Sequence, residues 1–266
     1  MALDTMDKLV ALLAAGQNDP IYKASIANTA AGQFASLWRA TGMPTQGAIP
    51  GAFAVCDNAL AGGLALPSLG ALKGYVGRLG LIGATANTWI LFDRLGHMGG
   101  LSGIVTTAQT ANVDLVTASG NGRCSAVGAD VDWFIEIYTD MGATGVNATV
   151  NYNNQNDAAQ NAAAIALGAT PRASRLYQIM PNGGDSIKKV NTVTLSGTTG
   201  TAGSFGITAR GRQCGIGQPI ANVAAPGDFA AIGAPEFKQT SCLELVVICT
   251  TTSTGTLFGE ILLGTA

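Results

Sequence analysis

Two alternating segments separated by a glycine-containing break constrain the fold of this chain most strongly. Residues 131–138 alternate apolar and polar side chains with Phe134 as the one exception, and residues 146–152 repeat the alternation after the break. A period of two predicts a pair of antiparallel strands, each with one buried face. In the second strand the predicted inward residues are Val146, Ala148, Val150 and Tyr152, and the predicted outward residues are Asn147, Thr149 and Asn151.

The outward side of the second strand carries almost no charge. Asp157 is the only charged residue between Met141 and Pro171, and charged residues make up 11% of the whole chain. Ordinary soluble domains have roughly 25% charged residues. Because burying an unpaired charge is costly, a neutral polar face suits contact with another protein. We therefore predict an assembly interface that includes Asn147, Thr149 and Asn151.

The N-terminal region predicts two short amphipathic helices. The first covers residues 3–15 and carries Leu9 and Leu13 on its apolar face, and the second covers residues 21–40 with Phe34 and Trp38. Two helices of this size cannot form a core of their own. Residues 1–42 are thus predicted to be a helical arm that docks on a neighbour through Leu9, Leu13, Phe34 and Trp38.

The remaining sequence predicts a mainly β protein. Residues 43–130 are rich in glycine and alanine, which indicates irregular structure with short strands packed on the core. Residues 131–266 predict an antiparallel β-sandwich or jelly-roll-like domain, because short strands alternate with turn signals. After the opening pair, the predicted strands cover residues 163–167, 175–180, 187–195, 204–209, 243–250 and 256–263.

Catalytic patterns are weak throughout. His97 is the only histidine, and Asp93 and Ser102 lie near it in sequence, but no G-x-S-x-G motif surrounds the serine. We predict no enzymatic activity, no catalytic, metal or cofactor-binding residue, and a fold that tolerates His97→Ala.

Asp130, Asp132 and Glu136 lie on one face of a predicted strand. The favoured interpretation is a solvated strand face, and the alternative is a carboxylate pair for glycoside hydrolysis or a weak cation site.

Charge and hydropathy restrict the partners. The net charge is −2 and no basic patch exists, so nucleic acid is not an expected partner. No window offers ~20 consecutive apolar residues, so no membrane helix is predicted. Asp4 and Asp7 precede the first apolar segment, whereas a secretory signal begins with positive charge, so a cytoplasmic location before assembly is expected.

The chain has five cysteines, which is an odd number, and no C-x-x-C pair. This pattern favours buried reduced thiols over a zinc or redox centre.

Three blocks of sequence resemble a known group of proteins. They are FDRLGHMGGLSGIVTTAQT (residues 92–110), WFIEIYTDMGATGVNATVNYNNQ (133–155) and GGDSIKKVNTVTLSGTTGTAGSFGITA (183–209). Their order is similar to that in structural proteins encoded in the virion gene clusters of tailed bacteriophages and prophages. The resemblance implies a non-enzymatic virion protein. The blocks are turn and strand signatures, so they specify a fold more than a chemistry.

The sequence-based prediction is a bacteriophage capsid decoration or cement protein that stabilises the head by protein–protein contacts. The alternatives are a tail or baseplate protein, a carbohydrate-binding adhesion module with an aromatic platform, and, as the least favoured, the major capsid protein. The expected partners are further copies of the chain, with a trimer as first choice, and other virion proteins such as the major capsid protein. The expected location is the virion, after assembly in the cytoplasm of the host bacterium.

Overall fold

The protein is built mainly from antiparallel β-strands, with 44% of residues in strands and 7% in helices. The computed structural model describes residues 3–266. The helices are α1 (Met6–Ala15), α2 (Val116–Gly120) and α3 (Phe229–Ile232). The strands are β1 (Gln17–Lys23), β2 (Phe34–Ser36), β3 (Gly42–Met43), β4 (Ala54–Val55), β5 (Gly74–Gly83), β6 (Thr88–His97), β7 (Gln109–Asp114), β8 (Val131–Thr139), β9 (Val146–Asn154), β10 (Ala159–Asn161), β11 (Ile165–Gly168), β12 (Arg175–Gln178), β13 (Ile187–Leu195), β14 (Ser204–Gly217), β15 (Ala225–Asp228), β16 (Glu236–Phe237), β17 (Leu243–Ile248) and β18 (Leu257–Thr265).

The chain folds into two compact units whose segments are interleaved in sequence. Unit 1 contains Met1–Gly47 (described from Leu3), Asp57–Asp93 and Gln213–Ala266, and unit 2 contains Ala48–Cys56 and Arg94–Arg212. These units cut across the predicted segments 1–42, 43–130 and 131–266. The reason is long-range pairing, because the C-terminal strands return to the N-terminal ones in unit 1.

Unit 1 is organised around a sheet with the strand order β15-β5-β18-β1-β3, in which β16 also pairs with β5. Strand β1 pairs with β18 over its whole length, from Gln17 opposite Leu263 to Lys23 opposite Leu257. In the same unit β17 pairs with β2 and with the first part of β6. Buried side chains from these strands form one apolar cluster, which includes Ile21, Leu79, Leu91, Val247 and Ile261.

Helix α1 confirms the first predicted helix and lies on the unit 1 sheet. Thr5 caps its start by accepting a hydrogen bond from the Lys8 amide at 3.3 Å, and Gly16 follows its last residue. On the inner side of the helix, Leu12 clusters with Tyr75 and Leu262 of the sheet.

The second predicted helix, over residues 21–40, is wrong. This segment forms β1 and β2 instead, and Gly32 interrupts it with a φ of +76°. Pairing with β18 and β17 supplies backbone hydrogen bonds along the segment. Such long-range pairing overrides a local helical periodicity.

Unit 2 contains the two strands that the alternating segments predict. The burial pattern of β9 alternates along its whole length as expected, and β13 has the predicted bounds of residues 187–195. However, β8 and β9 do not pair with each other. Strand β8 lies between β14 and β12, whereas β9 lies between β13 and the short strands β10 and β11. Both contribute to one core cluster, in which Trp133 and Ile135 of β8 join Val150 and Tyr152 of β9.

Candidate assembly surface

The outward residues of β9 lie where the sequence predicts them. Asn147 is exposed, and Thr149 and Asn151 are half-buried, while the residues between them are fully buried. Thr149 lies opposite Thr194 of β13, and Asn151 lies opposite Thr192. These five outward residues, together with Asn153 and Asn191, are called the β9 face below.

A chain of amide hydrogen bonds connects the β9 face. The Asn191 side-chain amide donates to the Oδ1 atoms of Asn151 and Asn153, at 2.9 and 2.7 Å. The Asn151 amide in turn donates to the Gln160 carbonyl and to Oδ1 of Asn161, at 3.0 and 2.9 Å. Amide groups that are held in such a network present a fixed pattern of donors and acceptors without any charge.

Charged residues lie at one end of the sheet that carries the β9 face. Lys188 pairs with Asp157 at 2.8 Å, and Lys189 lies opposite both Asp114 and Asn153. The other end, around Asn147, Thr149 and Thr194, consists of neutral side chains. A partner that contacts this end buries polar groups that can be matched by hydrogen bonds, and no charge has to be desolvated.

The N-terminal candidates divide between surface and core. Leu9 and Leu13 on α1 are half-buried, and Leu13 packs in the cluster under the helix. Phe34 is half-buried on β2, whereas Trp38 has 1% of its surface exposed. The indole ring of Trp38 packs so closely on Gly47 and Gly62 that a Cβ at either glycine would overlap it. Trp38 therefore belongs to the interior of unit 1, and its prediction as an interface residue is wrong.

A buried ion cluster lies in unit 2 where the sequence predicts a solvated strand face. Arg94 and Arg210 both approach Oε2 of Glu136 at 2.8 Å, and all three side chains are 0% exposed. Arg94 also donates to the Tyr138 hydroxyl at 3.0 Å, and the Arg210 guanidinium lies over the Phe134 ring at 5.3 Å. Burial alone would raise the pKa of Glu136, but the two guanidinium groups outweigh it and hold that pKa below its usual range.

The prediction that Asp130, Asp132 and Glu136 lie on a solvated strand face is therefore wrong for Glu136. Asp130 is exposed and accepts a hydrogen bond from the Ser125 amide at 2.8 Å, and Asp132 is half-buried. Burial raises the pKa of Asp132, with the nearby Arg212 and Arg210 opposing the shift. Glu136 differs from both because its charge is used to neutralise two arginines. The described residues contain no group of three or more acidic, cysteine or histidine side chains placed to hold a metal.

His97 takes part in the same cluster and is held neutral. Its Nδ1 atom accepts a hydrogen bond from Nε of Arg94 at 3.0 Å. Burial, followed by the charge of Arg94, lowers the pKa of His97 to about 3. The other two residues of the conceivable triad are bound elsewhere. Asp93 accepts from the Ser241 hydroxyl and the Cys242 amide, both at 2.8 Å, and the Ser102 hydroxyl accepts from the Ile104 amide at 3.5 Å.

The cysteines agree with the prediction of burial. Four of the five are buried, Cys124 is half-buried, and no disulfide joins any of them. Within residues 3–266, no helix has the length and apolar character required to cross a membrane.

Comparisons with known proteins show no family for this chain. No protein family model matches the chain, and no curated protein matches it. Among solved structures, the comparison found the D431N mutant VP2 protein of infectious bursal disease virus in derived T=1 particles. That chain is 11% identical, with 94% of this chain and 78% of that chain covered, and the TM-score is 0.17. Such a score is too low to support an argument about fold or function.

Proposed function

We propose that this chain is a non-enzymatic structural protein of a tailed bacteriophage virion, and that it decorates or cements the capsid through protein–protein contacts. In this proposal its partners are further copies of itself, with a trimer as the first choice, and virion proteins such as the major capsid protein. The fold class that accompanies the proposal is an antiparallel β-sandwich or jelly-roll-like arrangement. Its location is the virion, after assembly in the cytoplasm of the host bacterium.

The neutral β9 face is the observation that carries the proposal. The solvated face of a sheet ordinarily carries charged side chains such as lysine and glutamate. Around Thr149 this face instead offers threonine and asparagine side chains, several of them fixed by hydrogen bonds. A flat polar surface without charge can be buried repeatedly in a regular assembly at a low desolvation cost.

The sequence resemblance supports the same proposal independently of the geometry. The second and third resembling blocks, residues 133–155 and 183–209, contain β8, β9, β13 and the start of β14. The resemblance thus falls on the strands that build the core of unit 2 and carry the β9 face. It favours a virion protein, and it leaves the position on the particle between head and tail open.

Replacement of Thr149 by lysine tests the proposal. The new charge would be buried without a partner if the β9 face is an interface, at a cost of about 3–5 kcal/mol. On a solvated surface the same change alters stability by less than about 0.5 kcal/mol. The variant should keep the wild-type circular dichroism spectrum and melting temperature. When it is expressed with the virion proteins encoded beside it, it should be missing from particles purified on a density gradient.

Thr106→Lys is the matched control, because Thr106 is an exposed residue of unit 2 outside the strands. It should enter particles like the wild type. Wild-type protein that never bands with particles would exclude a virion role. Thr149→Lys protein that is incorporated normally would exclude the β9 face as the contact.

A further inference from the structure

A row of large apolar side chains crosses the outer face of the unit 1 sheet. In the strand register Ile82 lies opposite Phe258, Phe258 opposite Tyr22, and Tyr22 opposite Met43. Directly opposed residues of antiparallel strands point to the same face. All four are exposed, between 38% and 52%. One side chain from each of four adjacent strands thus forms a continuous ridge, called the apolar row below.

The apolar row is large enough to be an interaction site. Four such side chains at these exposures present roughly 400 Å² of apolar surface, which lies in the range where patches on a monomer are often functional. Helix α1 covers another part of the same face through Leu12, which packs on Tyr75 and Leu262. The rings of Tyr22 and Phe258 are in contact, with centroids 5.2 Å apart, so these two side chains hold each other in place before any partner binds.

Charges of both signs lie beside the apolar row. Arg78 of β5 and Glu260 of β18 pair at 2.6 Å on this face, and Asp228 of β15 lies opposite Arg78. A second copy of the same surface carries groups of both signs as well, so Arg78 of one copy can face an acidic side chain of the other.

A groove adjoins the apolar row in the same unit. Met43, at the end of the row, and Pro20 line a groove of about 500 Å³ together with Pro44, Leu60 and Leu64. A ridge and a groove therefore lie side by side on one surface. A two-fold axis brings the same patch of two copies together, so each copy can offer its ridge to the groove margin of the other.

We propose that the apolar row is the contact surface between two copies of this chain related by a two-fold axis. A standard interface buries about 800 Å² on each partner, and the row supplies roughly half of that area. The groove margin, the Arg78–Glu260 pair and Asn18, which accepts a hydrogen bond from Arg78, supply the rest. This contact lies in unit 1, apart from the β9 face of unit 2, and it does not depend on the proposed virion function.

Sedimentation of the purified full-length chain over a concentration series from micromolar to near-millimolar tests this contact. The weight-average mass of the wild type should rise with concentration to twice that of the species present at the lowest concentration, whether that species is a monomer or a trimer. Phe258→Lys and Met43→Lys should each weaken this association by at least about tenfold. Ile220→Lys is the matched control, because Ile220 is an exposed apolar residue of unit 1 that lies outside the row, and it should associate like the wild type.

Two substitutions are needed because Phe258 also packs on Tyr22, so Phe258→Lys removes a contact within the folded chain as well as part of the row. Met43 lies on the two-residue strand β3 and can be changed without removing that ring contact. Circular dichroism and thermal melting show which variants are folded. Thr149→Lys should still associate, so a failure of the virion proposal leaves this result unchanged. A wild type that does not double its mass, or folded row variants that associate like the wild type, would overturn the two-fold contact.

Discussion

The Arg94 guanidinium lies 2.8 Å from the Glu136 carboxylate, and neither side chain has any exposure to solvent. Arg210 approaches the same carboxylate oxygen at the same distance. One buried anion thus partly neutralises two buried cations. Removing a charge from such a group is costly, because the remaining charges lose their compensation while they stay out of water.

Glu136→Gln should destabilise the protein by about 3–5 kcal/mol, since both guanidinium groups lose their anion. Urea unfolding, monitored by circular dichroism, measures the loss. Asp130→Asn is the control on the same chain segment, because Asp130 is exposed and should change stability by less than about 0.5 kcal/mol. A loss of under about 1 kcal/mol in Glu136→Gln would mean that the cluster relaxes or admits water.

His97 should make the stability depend on pH near neutrality. In the folded chain its pKa is lowered to about 3 from the ordinary 6.5, so the folded protein keeps His97 neutral while the unfolded chain takes up a proton below pH 6.5. Above pH 6.5 this proton does not affect the free energy of unfolding. As the pH falls from 6.5 toward 3, proton uptake by the unfolded chain lowers that free energy. Between pH 7 and pH 5 the loss should be about 2 kcal/mol.

The chain has one histidine, so the variant His97→Gln isolates this effect. The side-chain oxygen of the new glutamine can accept a hydrogen bond from Arg94 at every pH. The unfolding free energy of the variant should therefore change far less than that of the wild type between pH 7 and pH 5. The carboxyl groups are the same in both proteins, so their contribution cancels in the comparison. Equal slopes in the two proteins would show that His97 becomes protonated in the folded state.

Local periodicity predicts those strands whose two faces differ. In β9 each outward Asn or Thr alternates with a buried residue, and the alternation appears directly in the sequence. The bounds of β13 follow from the same signal. What periodicity does not contain is the pairing partner, so it could not show that β8 and β9 lie in different sheets. Nor could it show that β18 returns to pair with β1.

The sequence signal for the buried ion cluster is Phe134, the one residue that breaks the alternation of β8. Phe134 lies on the side of β8 that also carries Glu136 and Tyr138, and all three are buried. An aromatic residue on the polar side of a strand indicates that both faces are covered. The partners Arg94 and Arg210 are far away in sequence, and only the fold brings them together. The structure therefore also changes the expectation that His97→Ala would leave the fold intact, since His97 accepts a buried hydrogen bond from Arg94.

Two truncations should separate helix α1 from the core of unit 1. A chain without residues 1–15 loses the helix and uncovers Tyr75 and Leu262, but it keeps β1. It should remain folded with a lower melting temperature. A chain without residues 1–42 loses β1, β2 and the buried Trp38, and should be insoluble or should show unfolded baselines in circular dichroism. A soluble, cooperatively folded chain of residues 43–266 would restore the separable arm that the sequence predicts.

Gly206 should tolerate no side chain, although it lies in a regular strand. A Cβ at this position would overlap the carbonyl oxygen of Met98. That backbone is fixed, because the Met98 amide donates to the Ile207 carbonyl at 3.0 Å, so it cannot move away without breaking a hydrogen bond. Gly206→Ala should therefore cost at least about 2–3 kcal/mol in unfolding free energy.

Gly217 lies on the same strand β14 with open space where its Cβ would be, which makes Gly217→Ala the matched control. That change should be neutral or stabilising by up to about 1 kcal/mol, because alanine restricts the unfolded chain. Chemical denaturation of both variants measures the contrast, and equal stabilities would mean that the strand containing Gly206 lies farther from Met98 than its packing here indicates.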